Sequence, residues 1–218
     1  MKNQGVFITF EGIEGCGKST QLELLVAWLA SRKIQCLQTR EPGGTAAGSQ
    51  IRKVLLSESS GALDPYAELF LYMADRFQHI SQVIAPALAR GEVVLCDRYH
   101  DSTLAYQGYA RGIPLDFLDY LWNETGRALE PHHTILFDID PETGVQRSLE
   151  KLRAASLDES RFEKENLEFH AKVRQGFLTL ARLHSNRIVV IDARGSIEDI
   201  QKKVNELVTK WLHIEDRK

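Results

Sequence analysis

The sequence predicts an α/β fold, a three-layer, doubly wound sandwich around a five-stranded parallel sheet. Short β-branched or aromatic runs alternate along the chain with longer segments of helical periodicity. These runs are apolar throughout, which is typical of strands buried on both faces of a sheet. With 218 residues, 43% of them hydrophobic and 26% charged, the chain has the composition of a folded globular protein. We expect a single domain over residues 1–218.

The predicted strands share this apolar composition and cover residues 6–10, 34–38, 93–96, 134–138 and 187–191. Helices between them imply right-handed crossovers. In such folds, ligands bind at the carboxyl ends of the strands, close to the point where the strand order reverses. We therefore look for chemistry in the residues that follow each strand.

The predicted helices carry apolar residues at spacings of three and four. The first follows Ser19, and the others cover residues 66–89, 115–124, 162–183 and 197–211. Asp64 before Pro65 is the expected N-cap of the second helix. Ser196 is the expected N-cap of the last helix, with Asp199 as a weak capping-box partner.

Charge and cysteine usage restrict the partners. A net charge of −3 argues against a general nucleic-acid partner. There are three cysteines, an odd number, so they cannot all pair, and their spacing matches no zinc-binding pattern. We therefore expect a reducing, cytoplasmic location. Cys36 and Cys96 lie in apolar runs and are expected in the core, and the third cysteine is Cys16. No apolar stretch reaches about 18 residues, so no membrane partner is expected. The first residues also lack the pattern of a signal peptide.

A phosphate-binding loop follows the first predicted strand. Residues 12–19 match the pattern GxxxxGK[ST], and a predicted helix begins directly after them. Glycines let backbone N–H groups curl around an anion, and the helix N-terminus adds positive charge. A glycine turn that fits by chance is the alternative, and the strand–loop–helix context argues against it. The expected ATP-binding residues are Gly12, Ile13, Glu14, Gly15, Cys16, Gly17, Lys18, Ser19 and Thr20.

The residues after the third strand favour a kinase over other phosphate-loop proteins. No guanine-reading NKxD element is present, and the DxxG string at 192–195 lies too late to be a GTPase switch. Asp97 is instead placed to hold Mg²⁺ together with Ser19. The guanidinium of Arg98 is suited to binding phosphoryl oxygens. Alternatively, Asp97 and Arg98 could simply form an ion pair at the end of the strand.

Two further features indicate a second ligand. The turn 39–45, with the sequence Thr-Arg-Glu-Pro-Gly-Gly-Thr, places Arg40 after the second strand, where it could grip a second phosphate. Tyr72 and Arg76 lie four residues apart and share a helix face, so they could stack a base and hold its phosphate. Taken alone, the turn 39–45 could be an ordinary connecting loop. Tyr72 and Arg76 could be a core tyrosine beside a solvated arginine.

Together these motifs resemble the bacterial thymidylate kinases over essentially the whole chain. The resemblance rests on the phosphate loop, on the string at 39–45, and on Asp97-Arg98-Tyr99 followed by Ser102, Tyr106-Gln107-Gly108 and Arg111-Gly112. It implies that Mg-ATP phosphorylates dTMP to dTDP. The substrate-binding residues that it implies are Glu14, Arg40, Pro42, Tyr72, Arg76, Arg98, Ser102, Thr103, Tyr106 and Gln107.

The resemblance gives several of these residues a role. Glu14 would bind the 3′-hydroxyl, Tyr72 would stack on thymine, Thr103 would lie near the thymine edge, and Tyr106 would exclude ribose. It also implies a homodimer and a lid over residues 147–161 whose basic residues close over the phosphoryl group. Lys18, Arg98, Arg153 and Arg161 are the expected catalytic residues.

The chain departs from the family pattern at two positions. Tyr72 stands where phenylalanine is usual, and Ser160, not aspartate, precedes Arg161. Instead of a lid, residues 147–161 could be a charged hinge exposed to solvent. The functional alternatives are a kinase for another nucleoside monophosphate or a deoxynucleoside, and a nucleotide-binding regulator without catalysis.

Overall fold

The computed structural model describes residues 5–124, 129–155 and 159–214. It contains a parallel five-stranded sheet with the strand order β2-β3-β1-β4-β5. The strands are β1 (Val6–Glu11), β2 (Cys36–Arg40), β3 (Val93–Asp97), β4 (His133–Asp138) and β5 (Ile188–Asp192). The predicted α/β class and parallel sheet are confirmed.

The second strand starts two residues later than predicted. Residues 34–38 were expected, but the ladder with β3 runs from Cys36 opposite Val93 to Arg40 opposite Asp97. Ile34 N donates instead to the Leu29 carbonyl and finishes the preceding turn. Because β2 is an edge strand, Cys36 is only half-buried, whereas Cys96 on the inner strand β3 is fully buried.

The described helices flank both faces of the sheet. They are α1 (Lys18–Ser31), α2 (Ala46–Leu56), α3 (Pro65–His79), α4 (Ala85–Ala89), α5 (His100–Thr103), α6 (Leu115–Glu124), α7 (Pro141–Ala155), α8 (Leu167–Leu183) and α9 (Ile197–Trp211). One π-helical stretch, Ile80–Ile84, joins α3 to α4, and another, Leu104–Ala110, continues α5. The predicted helix 66–89 is thus one continuous helical run. None of the described helices is long and apolar enough to span a bilayer.

The expected caps are present. Asp64 Oδ1 accepts hydrogen bonds from Tyr66 N and Ala67 N at the start of α3. Ser196 Oγ accepts from Asp199 N at the start of α9 and bonds to the Asp199 carboxylate.

The predicted helix 162–183 was wrong at its start. The α8 helix begins at Leu167, because Asn166 caps it by accepting from Phe169 N. Phe162 lies in a turn and buries its ring against Tyr106, with ring centroids 5.4 Å apart.

The helices α2, α5 and α7 were not predicted from the sequence. The α7 helix contains the first part of the predicted lid, residues 147–155. Residues 156–158 of that segment lie outside the described residues. The inner strands bury apolar residues such as Phe7, Ile8 and Leu95 completely. The residues at the carboxyl ends of β1, β2 and β3 form the floor of a cleft.

Candidate active site

A cavity of about 990 Å³ runs along the carboxyl ends of the strands. In the order of the strands, the turn after β2 lines one end and the phosphate loop the middle, and the other end is lined by residues from the end of β5 to the first turn of α9, namely Ala193, Gly195, Ile197 and Ile200. All ten predicted substrate-binding residues line it, as do Glu14 to Thr20 and both predicted metal ligands. The cleft is therefore open on both sides of the phosphate loop.

The phosphate loop requires its glycines. Gly15 and Gly17 have φ of +66° and +94°, in the left-handed region that favours glycine. A Cβ on Gly15 would lie 1.9 Å from the Gly144 carbonyl oxygen, so α7 packs directly on the loop backbone. Gly12 and Ile13 do not line the cavity. They lie behind the loop, and their carbonyl oxygens accept from Lys18 Nζ at 3.0 and 2.8 Å.

Two oxygen atoms meet beside the loop at the start of α1. Ser19 Oγ donates to Asp97 Oδ2 at 2.6 Å, which joins the loop to the end of β3. A hydroxyl and a carboxylate are the ligand types that Mg²⁺ prefers, so this pair fits a magnesium ion. In the described residues, no group of three or more His, Cys, Asp and Glu side chains could enclose a metal ion.

Arg98 is held in a strained conformation above the loop. Its φ of +66° is rare for a residue with a side chain, and such strain often marks a functional site. Its guanidinium donates to the Gly12 carbonyl at 2.9 Å, to Ser102 Oγ at 3.2 Å and to Glu14 Oε1 at 2.9 Å. This network fixes a cation at the middle of the cleft.

Glu14 is the acidic centre of this network. Tyr106 donates its hydroxyl to Glu14 Oε1 at 2.5 Å, beside the contact from Arg98. Burial is the largest single influence on Glu14 and disfavours its ionisation, but Arg98, His170, Lys18 and Tyr106 together outweigh burial and lower the pKa of the carboxyl to about 2. Glu14 is therefore a carboxylate at neutral pH and holds Tyr106 against the cleft.

The β2 side of the cleft is built around a buried ion pair. Glu41, whose peptide bond to Pro42 is cis, accepts from Arg76 Nε at 2.7 Å and contacts His79 Nδ1 at 2.9 Å. Arg76 is 1% exposed and donates to Thr103 Oγ1 at 2.8 Å. Arg76 is thus fixed in the wall, whereas Arg40 is exposed and lines the cleft without an ion pair to any described residue.

Tyr72 presents its ring one turn before Arg76. The side chain is half-buried, lines the cleft and lies on the same face of α3 as Arg76. Burial, reinforced by the carboxylate of Glu68, raises the pKa of the Tyr72 hydroxyl, so the ring is neutral. A neutral ring at this position can stack on a flat ligand.

The structure does not bring Arg153 and Arg161 into the cleft. Arg153 is exposed on the outer side of α7 and lines a separate shallow pocket. Arg161 Nη2 donates to the buried carboxylate of Glu68 at 2.7 Å, and its Nε donates to the Leu55 carbonyl. From the described part of the lid, the cations that line the cleft are Arg147 and Lys151.

Sequence reasoning missed two residues of the site. Arg52 on α2 lines the cleft, donates to the Pro42 carbonyl at 3.0 Å and forms a two-point ion pair with Glu159 at 3.0 and 2.7 Å. Glu68, one helical turn before Tyr72, is buried and binds Gln107 and Arg161. The spacing of residues 68, 72 and 76 could have predicted that Glu68 lies beside the site, since residues four apart share one helix face.

Two buried carboxyl groups beside the site have raised pKa values. Burial, together with Asp101, raises the pKa of Glu11 to about 7. Burial, together with Glu41, raises the pKa of Asp75 to about 6. Asp75 Oδ1 accepts from Gly43 N at 3.1 Å and so supports the turn after β2.

The fold and the site define a phosphate-loop protein with room for a second ligand beside the loop. The family model described as "Thymidylate kinase" matches residues 10–204. The chain is 47% identical to the thymidylate kinase of Desulforapulum autotrophicum over 96% of this chain and 93% of that protein. It is 49% identical to the thymidylate kinase of Nitratidesulfovibrio vulgaris over 95% of this chain and 93% of that protein. The chain belongs to the thymidylate kinase family.

A solved structure agrees with this assignment. The crystal structure of thymidylate kinase from Ehrlichia chaffeensis superposes with a TM-score of 0.75 at 32% identity, covering 94% of this chain and 98% of that chain. The resemblance inferred from the motifs is confirmed.

Proposed function

We propose that this protein is a dTMP kinase that transfers the γ-phosphoryl group of ATP to dTMP, giving ADP and dTDP. The observation that carries the proposal is the cleft itself. It extends from the phosphate loop towards Ala193 on one side and towards Arg40 and Tyr72 on the other. One side therefore accommodates a nucleotide donor and the other a nucleotide acceptor, with their phosphates meeting near Arg98.

The donor side is formed by the phosphate loop. Backbone N–H groups of residues 14–19 and the N-terminus of α1 bind the donor phosphates, and Lys18 contacts the outer ones. Ser19 and Asp97 would hold Mg²⁺ by their oxygen atoms. When bound, such an ion would neutralise negative charge on the donor phosphates.

The acceptor side recognises a nucleoside monophosphate. Tyr72 stacks on the base, Glu14 accepts a hydrogen bond from the sugar hydroxyl, and Tyr106 restricts the sugar. Arg40 and Arg98 hold the acceptor phosphate, beside the turn formed by Pro42. Ser102, Thr103 and Gln107 supply polar contacts on the same wall.

Catalysis consists of alignment and charge neutralisation. An oxygen of the acceptor phosphate attacks the γ-phosphorus as the bond from that phosphorus to the bridging oxygen of ADP breaks. The acceptor is already an anion, so no side chain needs to remove a proton in this step. Lys18 and Arg98 stabilise charge on the transferring group, and Arg147 and Lys151 approach from α7, where we place the cationic part of the lid.

An acceptor panel tests the proposal. ADP release is measured with Mg-ATP and each of dTMP, dUMP, dCMP, dGMP, UMP and thymidine. We expect dTMP to give the highest kcat/KM. A higher value for another acceptor would support a different kinase, and nucleotide binding without turnover on any acceptor would support a regulator.

We also propose that the protein is a homodimer in the cytoplasm. Val54 on α2 and Tyr66 and Phe70 on α3 are large apolar side chains that are 43%, 45% and 52% exposed. Such a face on adjacent helices fits a second copy of the chain. Light scattering should give a dimer for the wild type and a monomer for Phe70→Glu, whereas the exposed control Leu183→Glu should stay dimeric. A wild-type monomer would contradict this proposal.

A further inference from the structure

Two arginine side chains converge over the turn after β2. A Cβ on Gly43 would lie 3.1 Å from Arg52 Cδ and 3.8 Å from Arg40 Nε, so both side chains cover this glycine. Both also line the acceptor side of the cleft. Arg52 is tied to the turn, because its Nη1 donates to the Pro42 carbonyl at 3.0 Å. The turn therefore carries two cations side by side.

The carboxylate of Glu159 fills the remaining edge of the Arg52 guanidinium. Arg52 Nε donates to Glu159 Oε1 at 3.0 Å, and Arg52 Nη2 donates to Glu159 Oε2 at 2.7 Å. An arginine binds a phosphate through the same pair of parallel donors. Glu159 also lines the cleft. The edge of Arg52 that suits an acceptor phosphate is thus occupied by an anion of the chain itself.

The charges around Glu159 are unequal. Hydrogen bonds from Arg52 lower the pKa of the Glu159 carboxyl, and the charge of Arg40 acts in the same direction. One carboxylate therefore lies beside two guanidinium groups, whereas a phosphate dianion would balance both. The side chains of Arg52 and Glu159 are only partly buried, so the exchange of this carboxylate for another anion costs little free energy.

We infer that Arg52 is a further cation for the acceptor phosphate and that Glu159 competes with this phosphate for it. This inference rests on the proposed function. When dTMP binds, its phosphate takes the Nε and Nη2 donors of Arg52, and the Glu159 carboxylate turns out to solvent. The exchange weakens phosphate binding, because one ion pair breaks as the other forms. A nucleoside without a phosphate is unaffected.

Glu159→Gln tests the competition. The amide keeps the shape of the side chain but removes its charge, so it holds Arg52 more weakly. Isothermal titration calorimetry measures dissociation constants for dTMP and thymidine. The constant for dTMP should fall about 5-fold, the effect of one partly exposed ion pair, and the constant for thymidine should not change.

Arg52→Gln supplies the second half of the test. This change should raise the constant for dTMP about 10-fold, because a charged hydrogen-bond donor is lost, and leave the constant for thymidine unchanged. In the Arg52→Gln background, Glu159→Gln should have no further effect, since the cation for which Glu159 competes is absent.

The control is Glu168→Gln, which removes the same charge from an exposed ion pair with Lys172 on α8 and should keep both wild-type constants. An unchanged or higher constant for dTMP in Glu159→Gln would overturn the inference. An equal fall for thymidine, or a fall that persists in the Arg52→Gln background, would also overturn it. If Glu159→Gln does not fold, Arg52→Gln decides, and an unchanged ratio of dTMP to thymidine affinity has the same meaning.

Failure of the proposed function gives a different result. A wild type that binds dTMP but does not phosphorylate it would refute the kinase reaction and not the competition. If the wild type binds no dTMP, inorganic phosphate replaces it as the probe. Equal phosphate affinities of the wild type and Glu159→Gln would then overturn the inference.

Discussion

Replacing Glu11 with glutamine should remove a pH-dependent loss of stability. Glu11 is fully buried and accepts from Tyr99 N at 2.7 Å and from Ser102 Oγ at 2.6 Å. Burial, with Asp101, raises its pKa from 4.5 to about 7. The folded state therefore holds this proton more tightly than the unfolded chain. The stability that results is fully present below about pH 4.5 and is lost as the pH rises to about 7.

The size of the effect follows from the pKa values. One pKa unit corresponds to about 1.4 kcal/mol, so full ionisation of Glu11 costs the folded state about 3 kcal/mol. About 2 kcal/mol of this is lost between pH 5 and pH 8. Glutamine does not titrate, and it can keep both contacts, since its oxygen accepts from Tyr99 N and its NH₂ group donates to Ser102 Oγ.

Urea unfolding of the wild type and Glu11→Gln at several pH values measures this difference. Relative to the wild type, the variant should gain about 2 kcal/mol in the free energy of unfolding between pH 5 and pH 8. Glu206→Gln, an exposed change on α9, should show no such gain. A difference between Glu11→Gln and the wild type that stays constant with pH would refute the reasoning.

Three further predictions concern the reaction. Lys18→Ala should lower kcat at least about 100-fold, because a cation that stabilises the transferring phosphoryl group is lost. Circular dichroism should show that the variant keeps the fold. Near-normal activity would contradict the proposed mechanism. Tyr106→Ala should reduce the preference for dTMP over the corresponding ribonucleotide, and equal selectivity before and after would show that Tyr106 does not restrict the sugar. Arg147→Ala and Lys151→Ala should each lower kcat more than Arg153→Ala, because only the first two line the cleft; the reverse order in steady-state kinetics would place the catalytic cation on the outer side of α7.

The buried parts of the fold were predictable from sequence, and the exposed parts were less so. The inner strands β1, β3 and β4 are apolar on both faces, so their positions were predicted to within a residue. The edge strand β2 carries polar residues such as Gln38 and Thr39, so its ends depend on pairing with β3. The α2 helix begins at the Thr45 cap and has only 11 residues, of which Gly48 and Leu55 are buried, so it offers few of the core positions that marked the longer helices.

The site also contains parts that the sequence predicts and parts that it does not. Residues 12–19 and 39–45 are contiguous strings whose functional groups lie close together in the sequence, so the sequence predicts both directly. The lid differs, because Arg153 and Arg161 belong to one charged segment but point to different places. Their positions depend on α7 and on contacts across the chain, such as that between Arg161 and Glu68. Sequence spacing contains no information about such distant pairs.

The central claim is that the cleft holds two nucleotides at once, one on each side of the phosphate loop. Isothermal titration calorimetry tests it with dTMP and a non-hydrolysable ATP analogue in the presence of Mg²⁺. We expect each ligand to bind with a stoichiometry of one per chain, and dTMP to bind equally well to protein already saturated with the analogue. Displacement of one ligand by the other, or no binding of dTMP, would contradict the claim.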